Sequence, residues 1–178
     1  MRGKSCFSLR NMLLISFLTV ITAVLSYVRI PLPFSPVPVT GQTMGVMLSG
    51  ALLGGAAGAL SQGIYLLLGL VGLPVFAGGA GALFGPTGGY LWGFVLGAYI
   101  IGRLWERSAR PSFRKGVLSM AAGLVVLYGL GLVQLAMVAG ISLRQGLVVG
   151  VLPFLPGEAL KVIGTTLLAR RIRQVGLG

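Results

Sequence analysis

The chain has 178 residues, of which 56% are hydrophobic and 9% charged, with 30 glycines and a mean hydropathy of +0.97. Soluble domains carry about 25% charged residues, so this composition excludes a water-exposed globular surface and leaves a polytopic membrane protein. Lys and Arg total 14 against 2 acidic residues, histidine is absent and Cys6 is the single cysteine. That removes His-based triads, Cys/His zinc centres and disulfide frameworks, and it assigns the basic excess to membrane topology rather than nucleic acid.

A spanning helix needs about 20 apolar residues, or about 17 at the short end. On that measure the expected spans are 12–28, 42–53, 57–71, 90–104, 117–139 and 147–169. The first follows Arg2, Lys4 and Arg10 and is closed by Arg29 and a proline-rich stretch. It has the outline of a signal peptide, but no small-residue cleavage site follows and Cys6 precedes it, so a retained helix is expected. Its Thr19 and Ala23, with Thr22 and Ser26, form a stripe of small residues. The second and third spans are short and meet at Gly54-Gly55, which also permits a reading as one broken hairpin. A basic loop from Arg103 to Lys115 separates the fourth and fifth spans, and the sixth ends at Arg170, Arg171 and Arg173. Eleven basic residues then fall on one side against Arg29 and Arg144 on the other. The positive-inside rule makes this a single membrane domain over 1–178, an all-α integral-membrane bundle of six transmembrane helices with both termini cytoplasmic.

Glycines at four-residue spacing (Gly50, Gly54, Gly58, and Gly85, Gly89, Gly93, Gly97) suggest stripes for close helix packing within the chain, or a docking face for another membrane protein. No internal repeat supports an inverted-repeat carrier.

Three stretches can carry chemistry. In PFLPGEALK, Glu158 and Lys161 are the two ionisable residues expected inside an apolar span, and at i,i+3 they share a helix face. Intramembrane charges are costly and commonly pair or face a cavity. Pro156-Gly157 should open a fresh helix with Glu158 in its first turn. In the second stretch, between spans three and four, Gly78, Gly79, Gly81, Gly85, Gly88 and Gly89 with Thr87 can present N–H groups to an anion; no nucleotide loop motif is present. In the third, Arg29 to Thr43, four prolines fix an extended outer segment carrying Phe34, either a stiff connector or a lid. Gln42, Gln62 and Gln134 must each find hydrogen-bond partners, most simply between helices.

At PFSPVPVTGQT, GLPVFAGGAG with GPTGGYL, and PFLPGEALK, the chain resembles the BioY family, the biotin-binding S components of energy-coupling-factor transporters. The blocks occur in the family's order, and the resemblance covers about residues 12–170. It implies a six-helix substrate subunit of a bacterial or archaeal cytoplasmic membrane. Such a subunit binds biotin near the outer face and associates with a transmembrane coupling subunit and two cytoplasmic ATPases. No enzyme activity, cofactor, metal or nucleic-acid partner is implied, and ATP enters only through the partner subunits. Glu158 would accept from the ureido N–H groups, Lys161 would donate to the ureido carbonyl, and the Gly78–Gly89 loop would hold the carboxylate. The implied ligand-binding set is Glu158, Lys161, Gly78, Gly79, Gly81, Thr87, Gly88, Tyr90, Gln42 and Phe34, with Thr19 and Ala23 as a partner-docking site. The family often has aspartate where this chain has Glu158, and some members have arginine where it has Ala80, which leaves Arg29 as a substitute partner for the carboxylate. The alternatives are an S component for another vitamin, or an oligomeric pore or packing protein.

Overall fold

The structure, a computed structural model, describes residues 8–76, 78–107 and 112–175; Arg2, Lys4, Cys6 and Arg110, invoked above, lie outside them. Helix α1 (Leu9–Leu25) starts where Ser8 accepts a hydrogen bond from the Asn11 N–H, the capping that Ser favours. The proline-rich stretch is a hairpin rather than a plain extended segment. Its two-residue strands β1 (Arg29–Ile30) and β2 (Val39–Thr40) pair antiparallel, and Ser35 closes a turn inside it by accepting from Val37 N–H at 3.1 Å. Next come α2 (Gln42–Leu53), α3 (Gly55–Leu70), a 3-10 turn (Ala80–Leu83), α4 (Gly88–Glu106) and α5 (Phe113–Ala139).

The expected sixth span is broken. Helix α6 (Leu143–Gly150) opens on a Ser142–Gln145 capping box, a 3-10 turn follows at Leu152–Phe154, and α7 runs Leu155–Gln174. Pro153 and Pro156 lack N–H donors, so continuous helical bonding fails there. Glu158 sits in the first turn of α7, as Pro156-Gly157 suggested. The fourth span also differs: α4 continues to Glu106, so Arg103 lies on the helix and pairs with Glu106 at 3.6 Å.

Two described segments are long and apolar enough to cross a membrane, Phe113–Ala139 and Leu143–Gln174. With 12 residues, α2 reaches about 18 Å at 1.5 Å per residue, short of a hydrocarbon core of about 30 Å. The surface nevertheless suits lipid. Leu13, Phe17, Val20 and Val24 on α1, Val125 and Met137 on α5, and Leu160 and Leu167 on α7 are exposed, while Gln42, Thr43, Ser49, Ser61, Gln62 and Glu158 are buried. Apolar side chains outside and polar ones inside is the arrangement a bilayer demands.

The glycine spacing resolves into two different features. Gly54, at φ +90°, ends α2, so Gly50 and Gly58 lie on separate helices and form a corner rather than one stripe. On α4 the stripe is real and packs within the chain: a Cβ at Gly97 would meet the Gly123 carbonyl of α5 at 3.1 Å.

The corner is held by Glu106, whose Oε1 accepts from the Gly55 N–H at 3.0 Å. A carboxylate there satisfies an orphan donor and faces the positive end of α3. Glu106→Ala should therefore lower stability by about 1 kcal/mol, and Glu106→Gln, which keeps an acceptor, by less. Thermal melting in detergent reads both; identical melting of all three proteins would mean the corner needs no cap.

Candidate functional site

Three segments that are distant in sequence converge on Glu158. The first turn of α7 carries the acid and, one turn on, Lys161; β2 and the start of α2 bring Thr40, Gln42 and Thr43; α5 brings Tyr128. Lys161 Nζ donates to Glu158 Oε1 at 2.6 Å, to the Thr43 hydroxyl oxygen at 3.0 Å and to the Thr40 carbonyl at 2.7 Å. An ammonium has three donors, so this one is fully subscribed. Glu158 Oε1 also accepts from the hydroxyls of Thr43 at 2.9 Å and Tyr128 at 3.2 Å. Its second oxygen, Oε2, is buried and has no hydrogen-bond partner among the described residues. A buried carboxylate oxygen left unpaired is costly. It is therefore an acceptor presented to whatever donor enters.

Glu158 borders a cavity of about 60 Å³, lined by Val37, Pro38, Thr40, Gln42, Thr43, Phe76, Ala82, Thr87, Tyr90, Leu91, Phe94, Leu127, Tyr128 and Phe154. Apolar and aromatic walls with a few convergent polar groups are the usual make-up of a small-molecule site, but such sites measure about 300–1,000 Å³. A vitamin-sized ligand therefore requires the lining to move apart. A larger groove, about 640 Å³ between α5, α6 and α7, shares Tyr128 and Glu158 but is otherwise lined by apolar residues. It lacks the converging polar groups, so the smaller cavity is the candidate site.

The walls are locked by side chains. Tyr90 donates to the Gly150 carbonyl at 2.8 Å and ties α4 to the end of α6. Its ring stands edge-on to Tyr128, which packs in turn on Phe154. Gln134 donates to the carbonyls of Leu83 and Gly85, both at 2.9 Å, and fixes the glycine-rich loop to α5. Gln62 donates to Thr22 and Ser49, between helices as expected. Gln42 donates to the Tyr65 hydroxyl and accepts from Thr40 at 2.9 Å.

Of the residues expected at the site, Glu158, Lys161, Gln42, Thr87 and Tyr90 come together here. Phe34 does not: it is exposed on the hairpin, and Val37 and Pro38 face the cavity instead. Gly78, Gly79 and Gly81 are exposed and outside the lining, where Ala82 and Thr87 take their place. The N–H groups of Gly79 and Gly88 are spent within the loop, on Phe76 and Gly85 carbonyls at 3.2 and 3.1 Å, and Gly88 is buried against Leu83 and Gln134. The N–H groups of Gly79 and Gly88 are therefore not free for an anion as the loop stands.

The expected docking stripe packs largely inside the chain. Thr19 is buried, with its hydroxyl on the Ser61 carbonyl at 3.0 Å, and Ala23 is partly buried against the core. Both pack against the chain's own helices, Thr19 fully and Ala23 in part. Thr43, Tyr128, Phe94 and Phe154 are the contributors that sequence reasoning missed. Thr43 and Phe154 lie inside the quoted motifs; Tyr128 and Phe94 stand in apolar runs with no local signal.

Comparison with known proteins agrees over the whole chain. The family model described as BioY family matches residues 1–177. The protein named Biotin transporter BioY of Thermotoga maritima is 39% identical over 170 residues, covering 94% of this chain and 98% of that one. Its namesake in Rhizobium etli is 38% identical over 167 residues, covering 88% of each. A crystal structure of the S-component for biotin from an ECF-type ABC transporter superposes with a TM-score of 0.83 at 32% identity, covering 92% of this chain and 90% of that one. The chain belongs to the BioY family.

Proposed function

We propose that this member of the BioY family is the biotin-binding substrate subunit of an ECF-type uptake transporter. It captures biotin at the outer face of the cytoplasmic membrane, and partner ATPases acting through a transmembrane coupling subunit drive uptake. It is a transport protein rather than an enzyme. The six-span topology with both termini cytoplasmic is part of the same reading, supported by the distribution of basic residues.

The observation that carries the reading is the unpaired, buried Glu158 Oε2 beside a fully subscribed Lys161 at a loop-covered cavity. Biotin's ureido ring offers two N–H donors and one carbonyl acceptor. An N–H meets Glu158 Oε2 directly. The carbonyl takes a donor from Lys161 by displacing one of its present acceptors. The bicyclic body then packs on Tyr90, Phe94, Leu127 and Phe154, and the valerate chain runs toward Thr87, the glycine-rich loop's contribution to the lining.

Labelled biotin should bind the purified protein in detergent saturably and near stoichiometrically, and unlabelled biotin should compete where other vitamins do not. A folded, monodisperse sample without saturable binding would overturn the assignment. Displacement by a different vitamin would keep the fold and change the ligand.

A further inference from the structure

The hydroxyl of Tyr65 sits where two buried connections meet, and Tyr65 itself does not line the cavity. It donates to the Val75 carbonyl at 2.7 Å, in the loop leaving α3, and accepts from Gln42 Nε2. Gln42 accepts from the Thr40 hydroxyl at 2.9 Å, and the Thr40 carbonyl takes the third donor of Lys161 at 2.7 Å. One chain of hydrogen bonds thus runs from the ammonium of α7, across the base of the hairpin, to the loop that covers the cavity. The Tyr65 ring continues it mechanically. It meets Phe76 edge-on with centroids 5.4 Å apart and stacks on Phe94 at 6.2 Å, and both of those rings are cavity walls.

We infer that Tyr65 is a positioning residue that couples the state of Lys161 to the closure of the outer loop at Val75 and Phe76. The inference deepens the biotin-binding reading and rests on it for the ligand. Lys161 has no donor to spare, so a ligand acceptor must displace one of three partners. Glu158 carries the opposite charge, and the Thr43 hydroxyl is itself bonded to Glu158. The Thr40 carbonyl, neutral and at the end of a two-residue ladder, is the one surrendered. The Thr40 hydroxyl stays on Gln42 when the carbonyl is released, so the shift of Thr40 passes through Gln42 to the Tyr65 hydroxyl that seats the second loop. Buried hydrogen-bond chains of this kind act as units.

The test is Tyr65→Phe, which removes the hydroxyl and keeps the ring. Biotin dissociation should be about tenfold faster, the factor that one lost hydrogen bond near the top of the usual range gives, with association unchanged or faster. The effect of biotin on hydrogen exchange supplies a readout that a merely structural role would not move. In Tyr65→Phe, exchange should rise across 72–76 without ligand, biotin should no longer slow it there, and α4 and α5 should be unaffected. Gln42→Leu should do the same, and the double variant should be no worse than either single one, because both cut one chain. Unchanged dissociation and exchange would overturn the coupling, as would a rise in exchange spread over all helices. Failure of the wild-type protein to bind biotin would instead sink the ligand assignment, and the ligand-free exchange would still decide whether Tyr65 holds the loop.

Discussion

Lys161→Ala is expected to abolish measurable biotin binding, a loss of at least about a hundredfold, and to lower stability in the same step. Both effects have one origin. The ammonium is the only cation within hydrogen-bond distance of Glu158 among the described residues, and it also satisfies Thr43 and Thr40. Removing it leaves a buried carboxylate with one oxygen already unpaired. Breaking a buried ion pair from one side costs roughly 3–5 kcal/mol, whereas replacing both partners by neutral groups of similar size is often tolerated. The double variant Glu158→Gln/Lys161→Met should therefore recover most of the melting temperature lost in Lys161→Ala and none of the binding. That split separates recognition from mere stability. Full affinity in a folded Lys161→Ala protein would remove Lys161 from the site, and a double variant as unstable as the single one would show that the charge left behind is not what destabilises. Labelled-biotin binding and thermal melting in detergent, run on the same preparations, decide both.

What the sequence made legible follows from which signals are local. The end of α2 was readable because the Gly54-Gly55 pair punctuates an apolar run. The break before Glu158 was readable because two prolines three residues apart cannot both sit inside one helix. The pairing of Glu158 with Lys161 followed from i,i+3 spacing alone. The partners that complete the site come from 30 to 121 residues away in sequence, as in Tyr128 and Thr43 to Glu158 and Thr40 to Lys161, and no periodicity encodes such distances. Thr19 shows the opposite failure. A small-residue stripe on an apolar helix has the same pattern whether it meets a partner or its own neighbour, and here Ser61 of α3 occupies it. The glycine-rich loop was only partly legible for a related reason. Glycine density announces close backbone approach, but here the backbone approaches Gln134 and its own turns.

Gly102→Ala is expected to damage the fold severely for its size, by about 3 kcal/mol. Its new methyl would land on the backbone of Gly54 and Gly55, and backbone at a corner has no rotamer to change. Close helix approach through small residues supplies the packing that a bilayer cannot, and here the approach is that of α4 to the α2–α3 corner. To admit the methyl, α4 must move away and take Glu106 off the Gly55 N–H. The consequence reaches the site, because α2 runs from that corner to Gln42 and Thr43. Biotin affinity should accordingly fall together with the melting temperature. Gly164→Ala on α7 is the control: nothing lies within 4 Å of the added atom, and helix propensity favours alanine by up to about 1 kcal/mol. That variant should melt at or slightly above the wild-type temperature with binding intact. If Gly102→Ala melted alongside it, the corner would have to be looser than its geometry implies, and α2 would need some other support to hold Thr43 against Glu158.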